Sequence, residues 1–308
     1  MRPLLAALFL AGCAGLPAAP KTTWVEPAAT EATVQVCWID TGGTSVARGY
    51  GIGGRTDGEH WDVTSPAVLL RHPSGDLLID SGISFQAQEE AKELSGWRRF
   101  VFDQTAGRNQ PRRSVKDSLA ALGVTSLKAV ILSHAHADHA GGLVALPDVP
   151  VWLGADEAAF VSANPGQVVM PAHAKALEHR MVSIPFTAKP YASYEQSFDV
   201  FGDGSVVIVP TAGRTPGSVA TFVRATGGKR LLHVGDLINL AESIDKKVGK
   251  SWLMSALTDE DASATAREVA RLVELHEKDP SLTILPAHDR GLFVTLFGEG
   301  TPEVPPCL

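Results

Sequence analysis

The run Ser133-His134-Ala135-His136-Ala137-Asp138-His139-Ala140-Gly141-Gly142 gathers three imidazoles and a carboxylate into one short stretch. In extended backbone, side chains two residues apart project to the same side, so His134 and His136 can pinch one metal ion. Asp138 and His139 fall where the chain turns and can aim at a second ion beside the first. Gly141 and Gly142, lacking Cβ atoms, let the backbone approach closely beneath such a site. With 10 His in 308 residues, this H-x-H-x-D-H spacing arises by chance in on the order of one chain per thousand or two. That rarity favours metal ligation over surface histidines opening a helix. A zinc-bound water ionises near pH ~7 rather than ~15.7, which supplies hydroxide for attack on an ester, lactone, thioester or amide. A neighbouring cation can polarise the carbonyl and stabilise the oxyanion, and Asp138 can orient the water or shuttle its proton. The chain has no G-x-S-x-G run, so a covalent serine route lacks its nucleophile elbow.

Such a cluster must be carried by a rigid strand and released by a turn. Leu127-Lys128-Ala129-Val130-Ile131-Leu132 predicts that strand, buried on both faces. Ala67 to Leu70 and Leu77 to Ile79 flank His72-Pro73-Ser74-Gly75 and predict a β-hairpin. Ser114 to Leu122, closed by Gly123, predicts a Ser-capped helix. Further strands are predicted at Val151 to Leu153, Ser205 to Val209, Val219 to Val223, Arg230 to Val234 and Leu282 to Leu285. Ala262 to His276 carries apolar residues at three- and four-residue steps and predicts a helix. Strand clusters with interspersed helices in both halves imply sheets packed on each other with helices outside.

These features resemble the metallo-β-lactamase superfamily of hydrolases over about residues 34–292. Leu77-Leu78-Ile79-Asp80-Ser81-Gly82 is similar to its early strand and turn, with Asp80 placed to support a ligand from behind. Val234-Gly235-Asp236 is similar to the segment carrying the bridging carboxylate, and Pro286-Ala287-His288-Asp289 to that carrying the final histidine. The resemblance implies an α/β fold, a single-domain four-layer αββα sandwich with the site at one edge of its two sheets. It implies a first metal held by His134, His136 and Asp236, and a second held by Asp138, His139, His288 and Asp236. Asp236, like Asp138, can then orient the attacking water.

One position departs from the family pattern. Thr211-Ala212-Gly213-Arg214-Thr215-Pro216-Gly217-Ser218 is similar to the G-H-T-P-G-S loop, but Arg214 stands where a histidine ligand of the first metal belongs. A guanidinium stays protonated and offers no lone pair. One tight zinc ion is therefore expected, the second weak or absent. Three readings of Arg214 stay open: it grips a substrate carboxylate or carbonyl, it marks a weakened or lost catalyst on a retained fold, or His173 or His233 fills the gap.

The run from Phe198 to Val207 most resembles the acyl-homoserine lactonase branch, although Asp236-Leu237-Ile238-Asn239-Leu240 lacks the Tyr often found there. Asp236 itself departs from zinc β-lactamases. Only 20 residues follow His288, too few for the helical substrate domain of glyoxalase II. The resemblance thus implies a zinc-dependent hydrolase opening a lactone or related ester by attack of metal-bound hydroxide. The alternatives are hydrolysis of a β-lactam or thioester, or a non-catalytic metal- or ligand-binding member of the fold.

Upstream, Arg2 precedes the apolar run Leu4 to Ala11, the length of a signal-peptide core and well short of the ~20 residues that span a bilayer. Leu10-Ala11-Gly12-Cys13 resembles the bacterial lipoprotein box, in which Cys13 is lipidated after cleavage before it; ordinary signal cleavage near Ala18 or Ala19 is the alternative. Ala14, rather than Asp, implies the periplasmic side of the outer membrane. The expected organisation is signal peptide 1–12, Pro/Ala-rich tether 13–33, hydrolase domain 34–292 and C-terminal tail 293–308. An oxidising periplasm allows Cys37 and Cys307 to pair, or they remain unrelated thiols. A formal charge of −7, from 27 basic and 34 acidic residues, offers no field for a polyanion. The expected partner is a small-molecule substrate, not nucleic acid, with membrane contact through the lipid anchor only.

Overall fold

The computed structural model describes residues 15–56, 58–163, 169–301 and 303–308. The signal segment and Cys13 lie outside the described residues. One sheet has the order β1 (Gln35–Asp40), β2 (Pro66–Arg71), β3 (Leu77–Ile79), β4 (Ala129–Ile131), β5 (Val151–Leu153) and β6 (Met181–Ser183). The first three are antiparallel neighbours and the remaining pairings are parallel. The other runs β7 (Phe198–Asp199), β8 (Val206–Pro210), β9 (Val219–Arg224), β10 (Arg230–His233) and β11 (Leu282–Leu285), with only the last pair parallel.

Side-chain alternation along these strands sets the layers. Val36, Trp38, Val68, Leu70, Val206 and Ile208 point into the seam between the sheets. Cys37, Ile39, Ala67 and Leu69 point to the opposite face of the first sheet, under Leu119 and Leu177 from flanking helices. Val207, Val209 and Leu232 point outward from the second sheet onto Val269, Leu272 and Leu275. Both faces of each sheet must be covered, and the result is the expected αββα sandwich in a single domain. The hairpin and the Ser114-capped helix α2 (Val115–Ala121) form as the sequence predicts, α1 being Gly96–Gln104. The long helix, Ala262–Lys278, starts where Asp261 accepts a hydrogen bond from Ala264 N.

Both ends of the domain differ from the expected boundaries. Residues 293–308 are not a tail. Phe293 and Phe297 belong to a helix, Arg290–Phe297, and lie one turn apart against Trp38, Phe293 stacking at 5.1 Å. The stretch expected as a tether is also engaged: Val25 N donates to Ala192 O at 2.8 Å, and Lys278 lies over the Trp24 ring.

Cys37 and Cys307 form a disulfide across a sequence separation of 270 residues, joining β1 to the C-terminal segment. Closing so long a loop in the unfolded chain gives the bond roughly 2–5 kcal/mol of stabilisation. Cys37→Ser should accordingly lower the melting temperature, and added reductant should then have no further effect. Equal melting of wild type with and without reductant would contradict this.

Candidate metal centre

The ends of β3 and β4 lie side by side, and the loops that leave them build the centre. Asp80 follows β3 with φ 54°, a left-handed conformation that Asp tolerates better than most residues. Its buried carboxylate accepts from Ser133 N at 2.7 Å and Ser133 Oγ at 2.8 Å, and lies 2.7 Å from His139 Nδ1. Ser133 Oγ, having donated to Asp80, is an acceptor for His134 Nδ1 at 3.2 Å. Thr64 O does the same for His288 Nδ1 at 2.8 Å. Each partner keeps a proton on Nδ1, so Nε2 of His134, His139 and His288 faces inward, where a metal ion would take its lone pair in place of any proton held there. A short helix, α3 (Ala137–Ala140), carries Asp138 and His139. Beneath it a Cβ on Gly142 would stand 2.1 Å from Ser81 O, and the glycine is required for that approach.

Two ligand groups result, His134/His136/Asp236 and Asp138/His139/His288. Asp236 lies between them. Its Oδ1 is 3.2 Å from His139 Nε2 and 3.0 Å from His288 Nε2, and its Oδ2 is 3.6 Å from His134 Nε2. Asp138 Oδ2 is 3.6 Å from His288 Nε2. Ligand atoms around a tetrahedral zinc are separated by roughly 3.3 Å, so these spacings suit a shared ion. His134 Nε2, His136 Nδ1, His139 Nε2 and Asp236 Oδ1 are buried without a hydrogen-bond partner, which a bound cation would remedy. The donor set therefore fits zinc.

Arg214 occupies the space next to Asp236. Its Nε and Nη2 both donate to Asp236 Oδ2, at 3.1 and 2.9 Å, and its Nη1 lies 4.0 Å from Asp259 Oδ1. Asp259 pairs with Lys250, whose Nζ donates to Asp236 O at 2.8 Å. Asp236 is held well below the usual carboxylate range: burial opposes this, but His288, His139 and Arg214 outweigh it. Burial holds His134 and His136 well below the imidazole range, reinforced by positive charge on His139 for the first and Arg214 for the second. Burial alone would lower His139 and His288 too, but Asp236 holds both above that range, helped by Asp80 at His139.

The two histidines considered as replacements take other places. His173 Nε2 is 3.0 Å from Glu90 Oε2, and His233 is buried with burial pushing it down to about 4. Neither belongs to a ligand group among the described residues. Three supporting residues carry no local sequence signal: Lys250, Asp259 and Glu157. Glu157 accepts from Ala135 N at 2.8 Å and Gly217 N at 3.2 Å, linking the histidine loop to the Arg214 loop. Above the centre opens a cavity of about 360 Å³, walled by Trp97, Phe102, Met170, Met254 and Leu257.

The model of the metallo-beta-lactamase superfamily matches residues 61–288, and the chain belongs to that superfamily. It is 25% identical over 240 residues to the N-acyl homoserine lactonase AttM of Agrobacterium fabrum, covering 76% of this chain and 84% of that one. It is 26% identical to "Probable metallo-hydrolase Rv2300c" of Mycobacterium tuberculosis, covering 73% and 74%. The structure of an N-acyl homoserine lactone hydrolase with bound N-hexanoyl-L-homoserine shares the fold at a TM-score of 0.63. Its identity is 20%, over 86% of this chain and 97% of that one.

Proposed function

We propose that this protein is an exported metal-dependent hydrolase that opens a lactone or related ester, with one tightly held zinc ion among Asp138, His139, His288 and Asp236. The carrying observation is the division of Asp236: Oδ2 receives the Arg214 guanidinium while Oδ1 faces His139 and His288. The fixed positive charge of Arg214 disfavours a second cation against His134 and His136. The names of the lactonase relatives support the substrate class.

Zinc bound in this group supplies Lewis acidity and a water ionised near neutral pH. Arg214 lines the cavity, and its Nη1, 4.0 Å from Asp259 Oδ1, makes no hydrogen bond. It can donate to the carbonyl oxygen of an ester and stabilise the negative charge that grows there. Asp138 lines the same cavity and can accept the proton of the attacking water. Water adds to the acyl carbon, the acyl C–O bond breaks, and the proton passes to the departing alkoxide. Metal content of the purified protein, measured with hydrolysis of a panel of lactones, simple esters, thioesters and β-lactams, tests the reading. Turnover of none of them, at full metal content and equal to a His139→Ala control, would favour a non-catalytic binding role.

Export is supported by the signal-like run before Cys13 and by the Cys37–Cys307 disulfide, a bond that persists in oxidising compartments. The reading places the protein on the periplasmic side of the outer membrane through a lipid on Cys13. Cys13→Ala should move it from the membrane to the soluble fraction, because the acyl chains provide most of the membrane affinity. A mature wild-type chain whose mass carries no lipid on Cys13 would refute lipidation.

A further inference from the structure

Large apolar side chains stand in water around the mouth of the cavity. On α1, Trp97 is 65% and Phe100 49% exposed, with their rings stacked at 5.1 Å. Across the mouth lies a second helix, Trp252–Thr258, whose seven residues carry no charge; Trp252 is 60% and Leu253 36% exposed. Tyr50, 48% exposed, adjoins the start of this helix, because Ser251 Oγ donates to Tyr50 O at 2.8 Å. Both helices also wall the cavity, through Trp97 and Val101 on one and Met254 and Leu257 on the other. Aromatic rings with one polar edge are the side chains that a membrane–water interface favours.

The chain that follows Cys13 passes beside the segment that leads into the helix Trp252–Thr258, with Leu16 packed on the outer layer of the second sheet. Leu16 lies 4.0 Å from the position a Cβ on Gly249 would occupy, and Gly249 is only three residues before Trp252. Three residues of chain reach at most roughly 11 Å, so a bilayer that holds Cys13 is held close to Leu16 and to the helix beginning at Trp252. We propose that the rim formed by Trp97, Phe100, Trp252, Leu253 and Tyr50 rests on the surface of a phospholipid bilayer. The cavity then opens at the lipid surface and receives amphiphilic esters that partition there. The anchoring reading serves only to say where the bilayer lies. With a net charge of −7, and with Arg99 on α1 paired to Asp103, charge does not drive the contact. Burial of apolar surface does, so zwitterionic lipid suffices and salt has little effect.

The test uses the full processed chain in phosphatidylcholine vesicles whose acyl chains are brominated, since bromine quenches only indole rings at the lipid. Wild-type fluorescence should fall on vesicle binding, and Trp97→Ala/Trp252→Ala should lose most of that fall while sedimenting with vesicles as before. Equal melting temperatures establish that the variant is folded. Vesicle-bound wild type with no quenching, or with quenching that survives in the double variant, would overturn the proposal. So would self-association of wild type in solution that the double variant abolishes, which would give the face to a second copy of the chain. Cys13→Ala separates the two contributions: a variant still quenched on vesicles upholds the rim whatever the state of Cys13, and a wild-type mature chain whose mass carries no lipid refutes the anchor.

Discussion

Replacing His139 with alanine is expected to remove the tightly held metal ion, abolish hydrolysis and lower the melting temperature by roughly 10 °C. The first two effects follow from geometry: Nε2 of His139 and His288 converge on Asp236 Oδ1 at 3.2 and 3.0 Å, and no other described imidazole faces that oxygen so closely. The third follows from linkage. An ion that binds only the folded chain at a thousand times its dissociation constant stabilises it by about 4 kcal/mol, and each kcal/mol moves a domain of this size by about 2–4 °C. The loss should also depend on pH with a definite sign. In the metal-free protein Asp236 and Asp80 hold His139 above its ordinary value, so its proton stabilises the fold at low pH and that contribution fades as pH rises through the raised value. The metal competes with this proton. Chelator should therefore destabilise wild type more at pH 8 than at pH 6, and should leave His139→Ala unchanged at both. Metal analysis with calorimetry checks each point, and equal metal content in the two proteins would remove His139 from the ligand set.

Arg214→His should raise the metal content from near one ion per chain towards two. The substitution removes a fixed positive charge from Asp236 Oδ2 and supplies a third imidazole beside His134 and His136, and both changes favour a second cation. Activity divides two roles of the guanidinium. If Nη1 holds the substrate carbonyl, the variant gains metal yet loses kcat/KM by about 10²–10³, the usual effect of deleting one oxyanion donor. If Arg214 only blocks the first site, the variant gains both metal and turnover. Wild type with two tight ions would defeat the one-metal reading altogether.

The histidine cluster and its strand are local features, and so the sequence displays them. Ligand spacing, the apolar run before it and the glycines after it are all consecutive in the chain, and strand alternation in Val36 to Ile39 or Val206 to Val209 already separates seam from outer face. The partners Asp80, Asp236, His288 and Arg214 were legible only through resemblance to a family, since nothing in their own neighbours announces a site. Lys250, Asp259 and Glu157 were not legible at all. Their roles exist because a buried charge must find a partner, and the partner is chosen by which loops meet at the strand ends. The C-terminal helix shows the same limit: Phe293 and Phe297 read as the start of a tail until Trp38, 255 residues earlier than Phe293, is placed against them.

The strands and the long helix marked by periodicity, the layer each strand face joins and the chemistry of the central loop follow from neighbours in the chain. The helices Gly96–Gln104, Trp252–Thr258 and Arg290–Phe297 carry no such mark. Tertiary structure alone decided how Asp236 is shared. A carboxylate between two imidazoles and a guanidinium has two oxygens to give, and only folding sets which partner each oxygen meets. Here Oδ2 meets Arg214 and Oδ1 meets His139 and His288. Long-range geometry adds to the one-metal expectation its means, a guanidinium held on Asp236 Oδ2.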